Sequence, residues 1–271
     1  MKLPASTAMT ALLVLLLAAP SAHSAAVIRR ATASTPAALQ GAIDSFRADL
    51  GGVNNGVGGS FGSGRRKINW DGVPDSFALP NNLPFNFFNS NSPRGVVFST
   101  LEGGSALNQF MVSADSDNPT LTPVRFGNFN AAYATNFQAF SAERLFHLRG
   151  GDTLTLTFFL PGTAIPASIS GMGVVYADVD ASSNVRLICF APDGRRLVGA
   201  TGDVQNNGLS FLGIFFNDPS ERCSRIEIRG GNVDLVGGAA DGTGGVDAIA
   251  FDDFIYGEPR SVDVLLRDGF E

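Results

Sequence analysis

Thr153-Leu-Thr-Leu-Thr-Phe158 alternates polar and apolar residues over six positions. A period of two puts Leu154, Leu156 and Phe158 on one face of a strand and the threonines on the other, as in half-buried strands of antiparallel sheets. The stretch therefore predicts a β fold whose apolar face is covered by further strands.

Further segments of strand length and apolar character follow, and turn signals separate them. They span residues 174–180, 185–190, 209–216, 225–229 and 248–256. The turn signals include Pro-Asp-Gly and Asn-Asn-Gly triplets, which favour tight turns. Short strands with frequent turns and little helix are typical of all-β sandwiches. We therefore predict an all-β fold, a jelly-roll-like antiparallel β-sandwich, over residues 65–260.

One short N-terminal helix is predicted before the sandwich. Thr35 is a candidate N-cap, and the proline that follows it suits the first helical turn. Apolar residues then recur at helical spacing until two glycines end the segment: Leu39, Ile43, Phe46 and Leu50. Residues 25–64 are thus interpreted as this helix and a Gly-rich linker, with 25–34 as a loose lead-in.

The N-terminus has the pattern of a signal peptide over residues 1–24. Lys2 gives a positive n-region, residues 11–19 form an apolar h-region, and small residues follow Pro20. The apolar run is shorter than the about 20 residues that a membrane-spanning helix needs. We therefore predict a secreted protein, extracellular or periplasmic, with no membrane span after signal cleavage; the alternative is a short membrane anchor.

The composition excludes several classes of function. The formal net charge is −6 and the chain has no basic run longer than the three residues 65–67, so nucleic acid is not an expected partner. Outside residues 1–24 the chain has one histidine, His147, and one lysine, Lys67. A zinc site with several histidines is therefore excluded. Residues 261–271 are interpreted as a C-terminal tail.

Cys189 and Cys223 are the only cysteines, and an oxidising compartment makes a disulfide the default. Strict alternation opposes the pairing, because Cys189 is in phase with the apolar Leu187, whereas Cys223 is in phase with Arg225. A bulge near Ser224 would restore the phase. We predict the disulfide, with two free thiols as the alternative.

The segment 248–256 carries two adjacent acids, Asp252 and Asp253, between apolar residues. Alternation puts Ile249, Phe251 and Ile255 on the face of Asp253, and it puts Ala250, Phe254 and Tyr256 on the face of Asp252. A strand that is apolar on both faces is covered on both, so each carboxylate needs an arginine, backbone N–H groups or a metal.

Other aspartates could complete such a metal site. Asp178 and Asp180 share one face of segment 174–180, and Asp241 or Asp247 could join them from the Gly-rich loop before the last strand. Calcium takes six to eight oxygen ligands. The predicted metal ligands are Asp178, Asp180, Asp252 and Asp253, with Ca²⁺ as a structural cofactor. The alternative is pairing with arginines and turn capping.

Trp70 is the only tryptophan, and it lies between Asn69 and Asp71. An aromatic ring with polar edges is a platform for stacking a sugar, so these three residues are the predicted ligand-binding set. The alternative is that Trp70 fills or covers the end of the sandwich, as buried tryptophans do.

A serine-hydrolase motif occurs once, as Gly-Gly-Ser-Phe-Gly at residues 58–62. The nucleophile elbow needs a strand before Ser60 and a helix after it, whereas Gly-rich loop flanks the motif on both sides. The only candidate base, His147, lies among apolar residues and arginines. We therefore expect no catalytic triad.

Four strings of the sequence are long enough to compare with known families: Arg65–Gly72 (RRKINWDG), Asn91–Thr100 (NSPRGVVFST), Leu209–Gly213 (LSFLG) and Asp252–Pro259 (DDFIYGEP). They resemble a family of bacterial secreted proteins that has no assigned activity. The resemblance covers about residues 40–260 and implies export and fold rather than an activity. The strand with Asp252 and Asp253 also resembles the last strand of jelly-roll carbohydrate-binding modules, which implies a structural calcium and a glycan ligand.

Two hypotheses on function follow from these observations. The first is a secreted, non-catalytic β-sandwich protein that binds an extracellular glycan and is stabilised by calcium. The alternative is an extracellular carbohydrate-active hydrolase or lyase that uses paired carboxylates. A structural component of a surface assembly stays open as a third.

Overall fold

The computed structural model describes residues 25–100 and 109–262. The predicted signal peptide lies outside the described residues, as does most of the predicted C-terminal tail. Within the described ranges, no helix has the length and apolar character that a membrane span requires.

The described residues form fourteen strands and three α-helices. The helices are α1 (Pro36–Asp49) and the single turns α2 (Phe87–Ser90) and α3 (Tyr133–Asn136). Short 3-10 turns cover Asp75–Phe77, Ser182–Asn184 and Leu235–Gly237. The strands are β1 (Val27–Ala33), β2 (Arg65–Ile68), β3 (Val96–Thr100), β4 (Phe110–Val112), β5 (Phe146–Leu148), β6 (Thr153–Phe158), β7 (Ala167–Ser168), β8 (Gly171–Val179), β9 (Val185–Phe190), β10 (Arg196–Thr201), β11 (Gln205–Phe215), β12 (Arg225–Gly230), β13 (Ala250–Gly257) and β14 (Arg260–Ser261).

Two antiparallel sheets form the sandwich. The first has the order β1-β11-β8-β13-β5-β4, with β2 pairing along the second half of the same edge of β13. The second has the order β10-β9-β12-β6-β3, and a small third sheet joins β14 to β7. The predicted all-β antiparallel sandwich is confirmed, whereas its jelly-roll connectivity stays a prediction.

Strand β6 has the face pattern that its sequence predicts. Leu154, Leu156 and Phe158 are buried, and β6 lies between β3 and β12 in the second sheet. These side chains join a core that includes apolar residues of the first sheet, such as Val174 and Leu212. The hydrophobic effect of this shared interior holds the two sheets together.

Helix α1 covers the outer face of the first sheet. The Thr35 side chain accepts a hydrogen bond from the Ala38 N–H, which is the predicted N-cap. The Phe46 ring packs edge-on against Phe211, with 5.2 Å between centroids. A Cβ at Gly213 would lie 2.6 Å from the Phe46 ring, so glycine there lets the helix approach the sheet closely.

Residues 25–34 are not a loose lead-in. Val27–Ala33 forms the edge strand β1 and pairs antiparallel with β11 from Val27↔Phe215 to Ala33↔Leu209. Only Ala33 of β1 is buried, and the other six residues are partly buried or exposed, which explains why small and charged residues are tolerated and why no apolar alternation marked the strand.

Cys189 and Cys223 form a disulfide with 5.4 Å between their Cα atoms. Cys189 lies on β9, whereas Cys223 precedes β12 and pairs through its backbone with Ile169. The alternation argument against the pairing fails because Cys223 does not belong to the ladder of β12 and does not share its phase.

Candidate metal site

The end of β8 is irregular where it meets β11. Gln205 pairs with Val179 and Leu209 pairs with Ala177, so three residues of β11 lie opposite the single residue Asp178. This bulge brings the Asn207 backbone N–H within 2.6 Å of Asp178 Oδ1. Asp178 and Asn207 both have positive φ, at 67° and 51°, which the local turn of the chain requires.

Three aspartates meet at this bulge: Asp178, Asp180 and Asp241. One carboxylate oxygen of each lies within 4.8 Å of those of the other two. Asp178 is fully buried, whereas Asp180 and Asp241 are half-buried, so the cluster extends from the interior to the surface. Such a set of hard oxygen atoms could hold a metal ion.

Each of these carboxylates is oriented by a protein donor on its Oδ1 atom. The Asn207 N–H donates to Asp178, the Asn206 side-chain amide donates to Asp180 at 2.5 Å, and the Ala248 N–H donates to Asp241 at 2.7 Å. The second oxygen of Asp178 is buried and receives no hydrogen bond from any described residue. A buried carboxylate oxygen without a donor is costly, and a cation would satisfy it.

Electrostatics in the cluster favour the binding of a proton or a cation. Burial raises the pKa of Asp178 to about 7. The Asn207 N–H opposes this shift, while the neighbouring Asp241 and Asp180 carboxylates add to it. Burial and the Asp241 charge also raise the pKa of Asp180. The three carboxylates therefore repel one another unless something positive lies between them.

A Gly-rich loop places Asp241 over the end of β8. Gly242, Gly244 and Gly245 all have positive φ, which glycine adopts without strain. The Gly242 N–H donates to the Val246 carbonyl at 3.0 Å and closes the turn. In the sequence the glycines of this loop indicate only turns. In the structure the loop brings Asp241, the third carboxylate, to the cluster.

Asp247, the other candidate from this loop, has a different role. Its carboxylate is buried and accepts hydrogen bonds from the Asp180 N–H, the Ala181 N–H and the Asn184 side-chain amide. Both oxygens are occupied, so Asp247 ties the loop to the segment after β8 and leaves metal ligation to its neighbours.

Asp252 and Asp253 do not join the cluster, because they lie in a separate bulge of β13 between Phe251 and Phe254. Asp252 Oδ2 accepts hydrogen bonds from the Phe140 and Ser141 N–H groups at 2.5 and 3.2 Å. Their inclusion in one metal set with the aspartates of β8 is therefore wrong. Both carboxylates are satisfied by the protein instead.

Two cations face Asp253, one from α1 and one from β2. Arg47 Nη2 lies 3.1 Å from Asp253 Oδ2, and Lys67 Nζ lies 3.8 Å from the same atom. The Ser141 hydroxyl lies 3.0 Å from Asp252 Oδ1 and 2.9 Å from Asp253 Oδ1. One hydroxyl proton cannot serve two carboxylates, so one of the two acids must carry a proton of its own.

Burial assigns that proton to Asp252. Desolvation raises the pKa of Asp252 well above its ordinary value of 3.8, and the adjacent Asp253 charge adds to the shift. Burial also raises the pKa of Asp253, but Lys67 and Arg47 counteract it. The pair is thus a protonated and an ionised acid joined through Ser141.

The predicted sugar platform at Trp70 is wrong, because Trp70 is 1% exposed. Its ring stacks on Phe146 with 4.3 Å between centroids, and its Nε1 donates to the Asp252 carbonyl at 2.8 Å. Asp71 accepts a hydrogen bond from the Arg144 N–H, and Asn69 is half-buried beside the ring. The burial expected in the alternative is confirmed, and Trp70 belongs to the core between the sheets.

The hydrolase-like motif around Ser60 is a loop held by a buried ion pair. Arg66 and Glu258 pair at 2.7 Å, and the Arg66 guanidinium also donates to the Gly56, Gly58 and Gly59 carbonyls. The motif is neither preceded by a strand nor followed by a helix, so it is not a nucleophile elbow.

His147 is an interior residue. Its Nδ1 lies 3.1 Å from the Ile249 carbonyl, which only accepts, so Nδ1 carries the proton. Burial lowers the pKa of His147 to about 4, which keeps the imidazole neutral. The ring packs against Phe251 and Phe126, away from the exposed Ser60 loop.

Comparisons of the chain with protein-family models, with curated proteins and with solved structures find no match.

Proposed function

We propose that the protein is a secreted, non-catalytic β-sandwich that binds Ca²⁺ at the cluster of Asp178, Asp180 and Asp241 and recognises an extracellular glycan. The observation that carries the calcium proposal is the buried Asp178 Oδ2, which has no donor among the described residues and belongs to a carboxylate with two further carboxylates within 4.8 Å. Ca²⁺ lies about 2.3–2.6 Å from its ligands, so oxygens up to about 5 Å apart can share one ion.

Three further observations support the other parts of the proposal. The disulfide suits an oxidising compartment, which agrees with the predicted export. His147 is hydrogen-bonded to the Ile249 carbonyl in the interior, whereas Ser60 lies in an exposed loop, which supports a non-catalytic protein. The resemblance of the β13 sequence to carbohydrate-binding modules is the reason for choosing a glycan as the partner.

Calorimetric titration of CaCl₂ into the protein without its predicted signal peptide tests the calcium site. We expect saturable binding. Free Ca²⁺ at about 100 times its dissociation constant should raise the free energy of unfolding by about 2.7 kcal/mol over the value in EDTA. Asp178→Asn should abolish both effects, while the exposed Asp117→Asn control should keep them. Equal stability of the wild type in CaCl₂ and in EDTA would contradict the proposal.

The competing function, a hydrolase or lyase that uses paired carboxylates, draws on the same cluster. Carboxylates within 4.8 Å of one another could also divide the roles of acid and base. Release of new reducing ends from a panel of polysaccharides, lost in Asp178→Asn and kept in Asp117→Asn, would favour this function over the binding protein.

A further inference from the structure

We infer that the calcium site is itself the glycan-binding site: open coordination positions on its solvent side take two neighbouring hydroxyls of a neutral sugar. The inference rests on the proposed function, because it needs Ca²⁺ at Asp178, Asp180 and Asp241. It adds the place, the chemical class and the mode of glycan recognition.

The first argument is the small number of protein ligands. Each of the three carboxylates brings one oxygen to the shared position, and each Oδ1 atom also accepts a hydrogen bond from a protein donor. Asp247, the next acid in the loop, has both oxygens occupied. Calcium takes six to eight oxygens, so about three to five positions are left for other ligands.

The second argument is the direction in which the cluster opens. Asp178 closes it on the interior side, and its buried Oδ2 atom has no donor among the described residues. Asp180 and Asp241 are half-buried, and the residues next to them, Asn206 and Gly242, are exposed. An ion held here therefore has its protein ligands on one side and solvent on the other.

The third argument is charge, which selects the class of ligand. Three carboxylates and one Ca²⁺ leave a net charge of about −1, so a second anion is repelled. Neutral hydroxyl oxygens are hard donors that calcium accepts without this penalty. The exposed amides of Asn206 and Asn207 can donate to and accept from the remaining hydroxyls of a sugar ring.

An array of neutral oligosaccharides, probed with the protein in CaCl₂ and in excess EDTA, tests the inference. We expect capture of at least one neutral glycan in CaCl₂, and at least a tenfold loss of that capture in EDTA and in Asp180→Asn. The Asp117→Asn control should be captured like the wild type. The free sugar of the captured glycan should tighten Ca²⁺ binding by the same factor by which Ca²⁺ tightens glycan binding, since the coupling is reciprocal.

Terbium luminescence separates direct coordination from an indirect effect of calcium. Tb³⁺ replaces Ca²⁺ in oxygen sites, and its lifetimes in H₂O and D₂O count the waters bound to the ion. Addition of the captured glycan should lower this count by about two, one for each hydroxyl of a bidentate diol. An unchanged count with bound glycan would place the glycan elsewhere and overturn the inference.

The remaining outcomes distinguish this inference from the proposed function. If CaCl₂ binds but glycan capture is equal in EDTA, or if no neutral glycan is captured in CaCl₂, the inference fails and the calcium site stands. If CaCl₂ does not bind, the calcium proposal fails, and the inference fails with it.

Discussion

Two groups of buried aspartates lie where β8 pairs irregularly with its neighbours, and they differ in how their oxygens are satisfied. In the β13 bulge, all four carboxylate oxygens of Asp252 and Asp253 have partners within the protein. In the β11 bulge, Asp178 has a donor on Oδ1 and none among the described residues on Oδ2. Asp178, Asp252 and Asp253 are the same residue type and are all fully buried.

The difference teaches that burial alone does not separate structural carboxylates from binding ones. A buried acid costs free energy until its charge is paired or neutralised. At Asp252 and Asp253 the fold itself provides Arg47, Lys67 and Ser141, so the site is complete. Around Asp178 the fold provides two more acids, so the site is completed by a proton or by a bound cation.

The largest effect is expected from Asp253→Asn. Removal of the charge leaves Arg47 without its buried partner, so the free energy of unfolding should fall by about 3 kcal/mol in CaCl₂ and in EDTA alike. The matched control is Asp44→Asn, which removes the exposed partner of the same arginine and should cost less than about 1 kcal/mol. Urea unfolding measures both. Equal losses of free energy in the two variants would show that burial of the Arg47–Asp253 pair adds nothing to its effect on stability.

The sequence predicts that Asp252 and Asp253 are buried, but strict alternation gives the wrong faces for their neighbours. In the structure Ile249, Phe251, Phe254 and Tyr256 all belong to the core between the sheets, while Ile255 packs on the outer side. The bulge at the two aspartates shifts the phase by one residue. A bulge depends on the pairing partner, which local periodicity does not contain.

For the metal cluster, the sequence identifies three of the residues but not their grouping. Asp178 and Asp180 are close on one strand, and Asp241 is one of two loop acids that could join them. The choice between Asp241 and Asp247 depends on which acid the backbone N–H groups after β8 reach. Such contacts, which link residues more than 60 positions apart, follow from the tertiary fold alone.

An intermediate effect, of opposite sign, is expected from Asp178→Asn. In EDTA at about pH 8 the variant should be more stable than the wild type by about 1 kcal/mol, because an amide can donate to Asp241 where a carboxylate is repelled. A loss of stability instead would mean that the ionised Asp178 has a partner in the folded protein, and the contrast with Asp253 would disappear.

The pH dependence of this difference identifies its cause. The pKa of Asp178 is raised from 3.8 to about 7 in the folded protein, so the folded state binds the extra proton in that range. The stabilisation of the wild type by this proton on Asp178 is complete below pH 3.8 and is lost as the pH rises through about 7. Below about pH 7 the wild type should therefore gain stability on the variant with a slope of at most about 1.4 kcal/mol per pH unit. The advantage of the variant in EDTA should vanish within about one pH unit below 7 and change sign at lower pH.

The smallest effect on folding is expected from Asp180→Asn, which tests whether the cluster is a binding site rather than a structural one. Asp180 is half-buried, and an amide oxygen at the same place can still accept from Asn206, so stability in EDTA should stay within about 0.5 kcal/mol of the wild type. Its affinity for Ca²⁺ should nevertheless fall at least about tenfold, because ligand charge sets calcium affinity. If Asp180 stabilised the fold itself, the variant would lose stability in EDTA and in CaCl₂ alike. If Asp180 holds an ion, the variant loses only the extra stability that CaCl₂ gives to the wild type. Urea unfolding in EDTA and calorimetry with CaCl₂ on the same preparation separate the two, and a loss of stability in EDTA that matches the loss in CaCl₂ would assign Asp180 to the fold.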